Sequence, residues 1–356
     1  MITPSITQAN IDTLVTVFGG SGFLGRHVVR ALCKRGYRVR VAVRRPDLAG
    51  YLQPLGRVGQ IHAVAANLRY PGSVEAATRD AHIVVNLVGI LFESGRQRFE
   101  SVHTFGAEAV ALAAAAFGAR LVHISAIGAD PDSPSHYARS KAMGEQLVLS
   151  AMPSATILRP SILFGPEDDF FNKFAALARL APALLLIGGG ETRFQPVFAG
   201  DVAAAVLAAI DRPEAGDRPE ADNRPEADNR QDAGNRPEAG RAIYELGGPE
   251  VKSFKELMQF VLATIERRRL LVPVPFGLAR IMARFLELPT KLLALEPMLT
   301  EDQVEMLQRD NVVSEAAARA GRTLKGLGVE PVAMGAVVPT YLWRFRKHGQ
   351  FKAGVA

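Results

Sequence analysis

The chain has 356 residues, 48% of them hydrophobic, with a formal net charge of +6 and a single cysteine. That length can bury one large core or two unequal ones, while a lone Cys33 excludes an internal disulfide framework and a cysteine-clustered zinc site. No run of eighteen apolar residues is present, so no membrane-spanning helix is expected.

The start, MITPSITQANIDTLVTVFGG, has no basic region, and its first arginine is Arg26. Neither a secretory signal nor an arginine-rich transit peptide fits, and a cytoplasmic protein is expected. Short β-branched runs then alternate with Ala-rich stretches. LVTVFGG (14–20), RVRVAVR (38–44), QIHAVAA (60–66), HIVVNLVG (82–89), RLVHISA (120–126) and ATILRPS (155–161) read as strands. GRHVVRALCKRG (25–36) and FGAEAVALAAAAFG (105–118) read as helices between them. This rhythm predicts an α/β fold, a doubly wound parallel sheet over 12–165 with return elements at 195–210 and 242–248.

Residues 212–241 parse as five hexads, RPEAGD, RPEADN, RPEADN, RQDAGN and RPEAGR. Hexads without a large apolar side chain cannot build a shared core, so 211–241 is expected to be a disordered, solvated linker. It holds six Arg against nine Asp and Glu, a net −3 that leaves +9 for the rest of the chain. Such a surplus favours anionic partners: nucleotides, phospholipid headgroups or nucleic acid. A smaller α/β region is expected from 166–194 and 249–340. It includes an amphipathic helix at 253–266 that Ser253 can cap, a charged helix near 300–309, and a basic, aromatic tail at 341–356.

GGSGFLG follows the first strand and opens the first helix, giving Gly19-x-x-Gly22-x-x-Gly25. One glycine allows the turn, one lets backbone approach a pyrophosphate and one permits close helix–strand packing, with the helix N-terminus facing the negative charge. Strand before and helix after turn a weak glycine triplet into a dinucleotide-binding signal. After the second strand, where an acidic residue would bind a ribose 2′-hydroxyl, stand Arg44 and Arg45. Guanidinium groups suit a 2′-phosphate, which favours NADP(H) over NAD(H); the alternative is a solvated arginine pair.

In SHYARSK (135–141), Tyr137 and Lys141 share one helix face, twelve residues beyond the strand-end Ser125. A lysine one turn away, with an oxidised nicotinamide, would stabilise a phenolate and let the tyrosine exchange a proton with a carbonyl or alcohol.

The glycine loop, Ser125, Tyr137-x-x-x-Lys141 and LRPSILFGPED (158–168) resemble the extended, or atypical, short-chain dehydrogenase/reductases. HYARSKAMGE, RPSILFGPEDDFFNKFA, QPVFAGDVA and the tail resemble the branch containing the NADPH-binding accessory subunits of respiratory complex I and their bacterial relatives. The resemblance spans nearly the whole chain outside the hexads. It implies a Rossmann-type fold and Tyr137, Lys141 and Ser125 as the catalytic set. The cofactor set it implies is Gly19, Ser21, Gly22, Phe23, Leu24, Gly25, Arg44, Arg45, Asn67, Leu68, Val88, Gly89, Lys141 and Pro160. Two positions depart from the family pattern: Ala126 stands where a hydroxyl residue often follows the serine, and Asn67 where an Asp often lies beside the adenine.

Two functions follow as expectations. One is a nucleotide-binding accessory protein supporting a respiratory membrane assembly or quinone metabolism. The other is an active oxidoreductase, epimerase or dehydratase on a sugar-nucleotide, steroid-like or quinone-precursor substrate. Complex I or quinone-pathway proteins are the expected partners. In FGLARIMARFLEL, Leu278, Ile281, Met282, Phe285 and Leu286 form a helical stripe with Arg280, Arg284 and Glu287 off it. The stripe is expected to pack on its own domain; the alternative is an interfacial helix on an anionic membrane surface, peripheral on the inner face of the cytoplasmic membrane. No nucleic-acid module appears, and the scattered histidines have no metal-ligand spacing.

Overall fold

The computed structural model describes residues 8–212, 242–293, 297 and 299–349. Six strands, β1 (Leu14–Phe18), β2 (Arg38–Val43), β3 (Ile61–Ala65), β4 (Ile83–Asn86), β5 (Arg120–Ile124) and β6 (Thr156–Pro160), alternate with helices. With the edge strand Ala242–Leu246 they form one sheet, in the order β3-β2-β1-β4-β5-β6 and then Ala242–Leu246. Every neighbouring pair is parallel. All strands therefore end on one edge, and the chain leaves β1 in one direction but β4 in the other. That reversal opens a crevice at the strand ends between β1 and β4.

β1 shows why these strands read as apolar runs. Val15 and Val17 join a core with Val28, Leu32 and Val206 on one face, and Phe18 joins Val84, Val110 and Leu121 on the other. With helices on both faces, successive side chains are buried whichever way they point. Each such side chain contributes about 2 kcal/mol.

A second core gathers Phe164, Phe171, Leu184, Phe254, Met258 and Leu342. Its elements come from both sides of the hexad block, among them the helices Phe170–Leu180 and Phe254–Thr264. Ser253 caps the latter as expected, and does so in a reciprocal box with Glu256. Asp168 ties the turn at Tyr341 to this core, accepting from the Phe171 N–H at 2.7 Å and from the Tyr341 hydroxyl. Among the elements that escaped the sequence reading, Leu270–Val274 is a strand that pairs in parallel with Ala183–Ile187, itself unread. Pro273 within it argues for a loop, but proline is tolerated in a sheet with a free edge, and this one has two strands.

The expected packing of the 278–286 stripe on its own domain is overturned. In the helix Phe276–Leu293, Leu278, Ile281 and Phe285 are 52, 56 and 74% exposed, and Leu286 is exposed as well. Of the stripe, Met282 packs inward, beside buried Ala279, Ala283 and Val304. Alanines four apart let the helix backbone approach the core closely, so the bulky side chains project away. Among the described residues no helix is long and apolar enough to cross a membrane. The hexads from 213 onward, the tail beyond 349 and the first seven residues lie outside the described residues.

Candidate nucleotide and proton-transfer site

The chain turns immediately after β1. Gly19 has φ +77°, a conformation that residues with a Cβ rarely adopt, and its N–H donates to the Ala42 carbonyl at 3.2 Å. The Gly22 N–H closes back on the Gly19 carbonyl at 3.0 Å. Gly22 precedes the helix Phe23–Lys34 and leaves its N-terminus without a side-chain cap. Backbone N–H groups and the positive helix end are thus presented together, the physical requirement for holding a phosphate. Gly25 is a packing glycine, since an added Cβ would collide with the Gly19 carbonyl and lie 2.6 Å from the Gly20 backbone. Gly20, which the triplet passes over, is constrained too: a Cβ there would lie 2.8 Å from Val41. At Gly22 a Cβ would meet the Gly19 carbonyl at 3.3 Å, a tight contact but milder than those at Gly20 and Gly25.

Ser21 offers its carbonyl to the Tyr51 hydroxyl, Phe23 meets His27 edge-on, and Leu24 is buried in the sheet core. Arg26 lies over the Tyr51 ring at 5.2 Å and pairs with Glu167, binding the loop to the 165–169 turn.

The two arginines after β2 separate in role. Arg45 pairs with Asp47 at 3.0 Å, whereas Arg44 is exposed and has no ion pair among the described residues. Asn67, beyond β3, accepts through Oδ1 from the Arg69 N–H at 3.2 Å, so its amide nitrogen is the group available to a base. Leu68 is buried against Gly106. Val88 closes the space behind Gly19, where an added Cβ would lie 3.2 Å from its side chain, and a Cβ on Gly89 would lie 3.4 Å from the Lys141 Nζ. Pro160 is buried at the end of β6.

Tyr137 and Lys141 sit on one face of the helix His136–Ala151, which Ser135 caps by accepting from the Ala138 N–H at 3.2 Å. The buried Lys141 Nζ donates to the Ile124 carbonyl at 3.3 Å and lies 6.0 Å from the centre of the Tyr137 ring. Burial pulls Lys141 down to about 8, opposed in part by Glu145. Burial, aided by the Asp302 charge, pushes the half-buried Tyr137 up to about 12. The Ser125 hydroxyl is buried with no hydrogen-bond partner among the described residues. Leaving it so costs about 1–3 kcal/mol, which a bound carbonyl or amide would offset. The orphaned hydroxyl and the uncapped helix therefore fit a nicotinamide nucleotide and a substrate oxygen.

Two histidines were missed. A π-turn at Glu100–Thr104 delivers His103 to the Tyr137 ring, edge-on at 5.3 Å, and Phe99 meets the same ring at 5.7 Å. The Ile90 N–H donates to His103 Nε2 at 3.0 Å, so Nδ1 carries the proton and donates to Ser140 Oγ at 2.9 Å. Ser140 in turn donates to the Tyr137 carbonyl at 2.8 Å. His123, on β5, accepts through Nδ1 from Asn86 Nδ2 at 3.2 Å, leaving a buried Nε2 with no partner among the described residues. Burial and the Lys141 charge hold His103 at about 2 and His123 at about 3, so both are neutral. No local motif marks them; only the folded sheet brings them to Lys141. Among the described residues no cluster of His, Cys, Asp and Glu could hold a metal ion.

Known proteins share this architecture. The chain is 33% identical to the NADH dehydrogenase [ubiquinone] 1 alpha subcomplex subunit 9, mitochondrial, of Arabidopsis thaliana, over 94% of this chain and 79% of that protein. It is 34% identical to a ceramide reductase of Caulobacter vibrioides, over 57% of this chain and 62% of that protein. The Thermus thermophilus UDP-glucose 4-epimerase, solved with NAD, superposes with a TM-score of 0.59 at 19% identity, covering 94% of this chain and 99% of that one. The profile of the NAD dependent epimerase/dehydratase family matches residues 15–223. Its β1–glycine–helix unit, its strand order and this match make the chain a member of that nicotinamide-cofactor-binding family.

Proposed function

We propose that this chain holds NADP(H) and serves as a nucleotide-binding accessory protein of a respiratory assembly of the complex I type. The observation that carries the reading is similarity to a complex I subunit across 94% of the chain. The pyrophosphate would rest on Gly19–Gly25, the adenosine beside Arg44 and Asn67, and the nicotinamide end near Val88, Gly89 and Pro160. NADP(H) is favoured because Arg44 is exposed and unpaired among the described residues, while no carboxylate replaces it for a 2′-hydroxyl. The bound nucleotide supplies hydride chemistry. Lys141 would hold its ribose, and Tyr137 would exchange a proton with a substrate oxygen polarised by Ser125.

The assembly would be met at a membrane surface, from the cytoplasmic side. Exposed Leu278, Ile281 and Phe285 supply an apolar face suited to a lipid surface, flanked by Arg280 and Arg284, which pair with Glu305 and Glu301. The Ser125 hydroxyl, without a hydrogen-bond partner among the described residues and in a site with Tyr137 and Lys141, favours a second reading, a working reductase, epimerase or dehydratase. A pull-down of the full chain from mild-detergent membranes separates the two. Recovery of respiratory subunits with both the native protein and Tyr137→Phe supports the accessory role. Recovery with neither, together with a nicotinamide-dependent turnover that Tyr137→Phe abolishes, replaces it with the enzyme.

A further inference from the structure

The first turn of the helix that carries Tyr137 is held by a residue far along the chain. Asp302 accepts from Ser135 Oγ at 2.8 Å, from the His136 N–H at 2.5 Å and from the Tyr137 N–H at 3.2 Å. These backbone donors have no acceptor within their own helix, and a carboxylate at a helix N-terminus also meets the positive end of the dipole. Asp302 is itself fixed. Its helix, Glu301–Met306, is capped by Thr300, which accepts from the Gln303 N–H at 3.0 Å. Glu305 pairs with Arg280 at 2.6 Å and Glu301 with Arg284 at 3.7 Å, both arginines lying on the helix with the outward apolar stripe. The Glu301 N–H also donates to the Glu287 carboxylate of that helix at 2.5 Å.

We propose that Asp302 is a positioning residue for Tyr137, through which the C-terminal helices Phe276–Leu293 and Glu301–Met306 fix the first turn of the helix that carries the phenol. The proposal rests on Tyr137 belonging to the nucleotide site, and it adds how that site is set. The groups facing Tyr137 are Phe99 and neutral His103 from the π-turn, Lys141 from its own helix, and Asp302 from the C-terminal segment. Among them Asp302 brings the negative charge, and a carboxylate held at the Tyr137 backbone adds to the burial that disfavours the phenolate.

The test places 3-fluorotyrosine at position 137 of the full chain, which lowers the phenol's titration into an accessible range, and follows it by fluorine NMR against pH. Asp302→Asn is expected to lower the midpoint by about one pH unit. Asp302→Glu, which keeps the charge, is expected to stay near the native midpoint; a purely structural cap would suffer from both changes without that split. If Asp302→Asn does not fold, Asp302→Ser supplies another neutral capping side chain. A native midpoint in the neutral variant overturns the proposal, as does equal movement in the neutral and charged variants. NADPH binding is measured in parallel on the native chain. A shifted midpoint without NADPH binding retains the positioning role and removes the nucleotide reading, and NADPH binding with an unmoved midpoint does the reverse.

Discussion

Lys141 stands one helical turn from Tyr137 with its Nζ 6.0 Å from the phenol ring centre, and it spends a hydrogen bond on the Ile124 carbonyl, 3.3 Å away. Burial acts on the two groups in opposite ways. The phenol is held protonated, at about 12, and the ammonium is brought down to about 8. The pair is therefore a weak acid and a strained cation, and the site gains from anything that brings hydroxyl groups to the lysine.

That strain predicts a pH dependence. Lys141 lies below its ordinary value of 10.5, so the unfolded chain binds more protons between about 8 and 10.5, and this lysine's effect on stability improves as pH rises through that window. Tyr137 acts in the opposite sense only above its ordinary value of 10.0, where its raised value makes stability fall. Near pH 7, Lys141→Met should be more stable than the native protein by on the order of 2 kcal/mol, and the gap should shrink by about pH 9.5. Urea unfolding at both values checks this; a gap independent of pH would show that the lysine is not strained.

The glycines of the loop should separate by role. Gly25→Ala places a Cβ against the Gly19 carbonyl and the Gly20 backbone, so the helix must move away from β1, at a cost of about 1–3 kcal/mol. Gly22→Ala meets the Gly19 carbonyl at 3.3 Å and should change stability by less than about 1 kcal/mol while weakening nucleotide affinity about tenfold or more. Thermal unfolding alongside a nucleotide titration reads both quantities. Equal losses of stability in the two variants would contradict the assigned roles.

Cofactor choice should follow Arg44 rather than Arg45, because Arg45 is already paired with Asp47. Arg44→Ala is expected to weaken NADPH about tenfold with little effect on NADH, consistent with the loss of one charge-assisted clamp. Arg45→Ala should do less. Parallel titrations with the two nucleotides measure the ratio, and an unchanged preference in Arg44→Ala would move the specificity elsewhere.

What could be read ahead of the structure was whatever is local. Gly19, Gly22 and Gly25 lie within seven residues between a strand and a helix, and Tyr137 and Lys141 lie one turn apart, so short-range geometry exposes them. Asp302 could not be read, because its partners are Ser135, His136 and Tyr137, more than 160 residues away. His103 and His123 become neighbours of Lys141 only when β4, β5 and the helices on that face assemble. The 278–286 stripe was misplaced for a different reason: periodicity weighs large side chains, and here the small Ala279 and Ala283 make the buried face. The strand Leu270–Val274 depends on a partner at Ala183–Ile187, across the hexad block, and its proline hides it.

The account depends most on the β1–turn–helix unit gripping a nicotinamide nucleotide, and the direct measurement is a calorimetric titration of the full chain with NADPH and with NADH. Saturable binding, tighter for NADPH and lost in Gly22→Asp without loss of fold, is the predicted result. A folded native chain that binds neither nucleotide would contradict it.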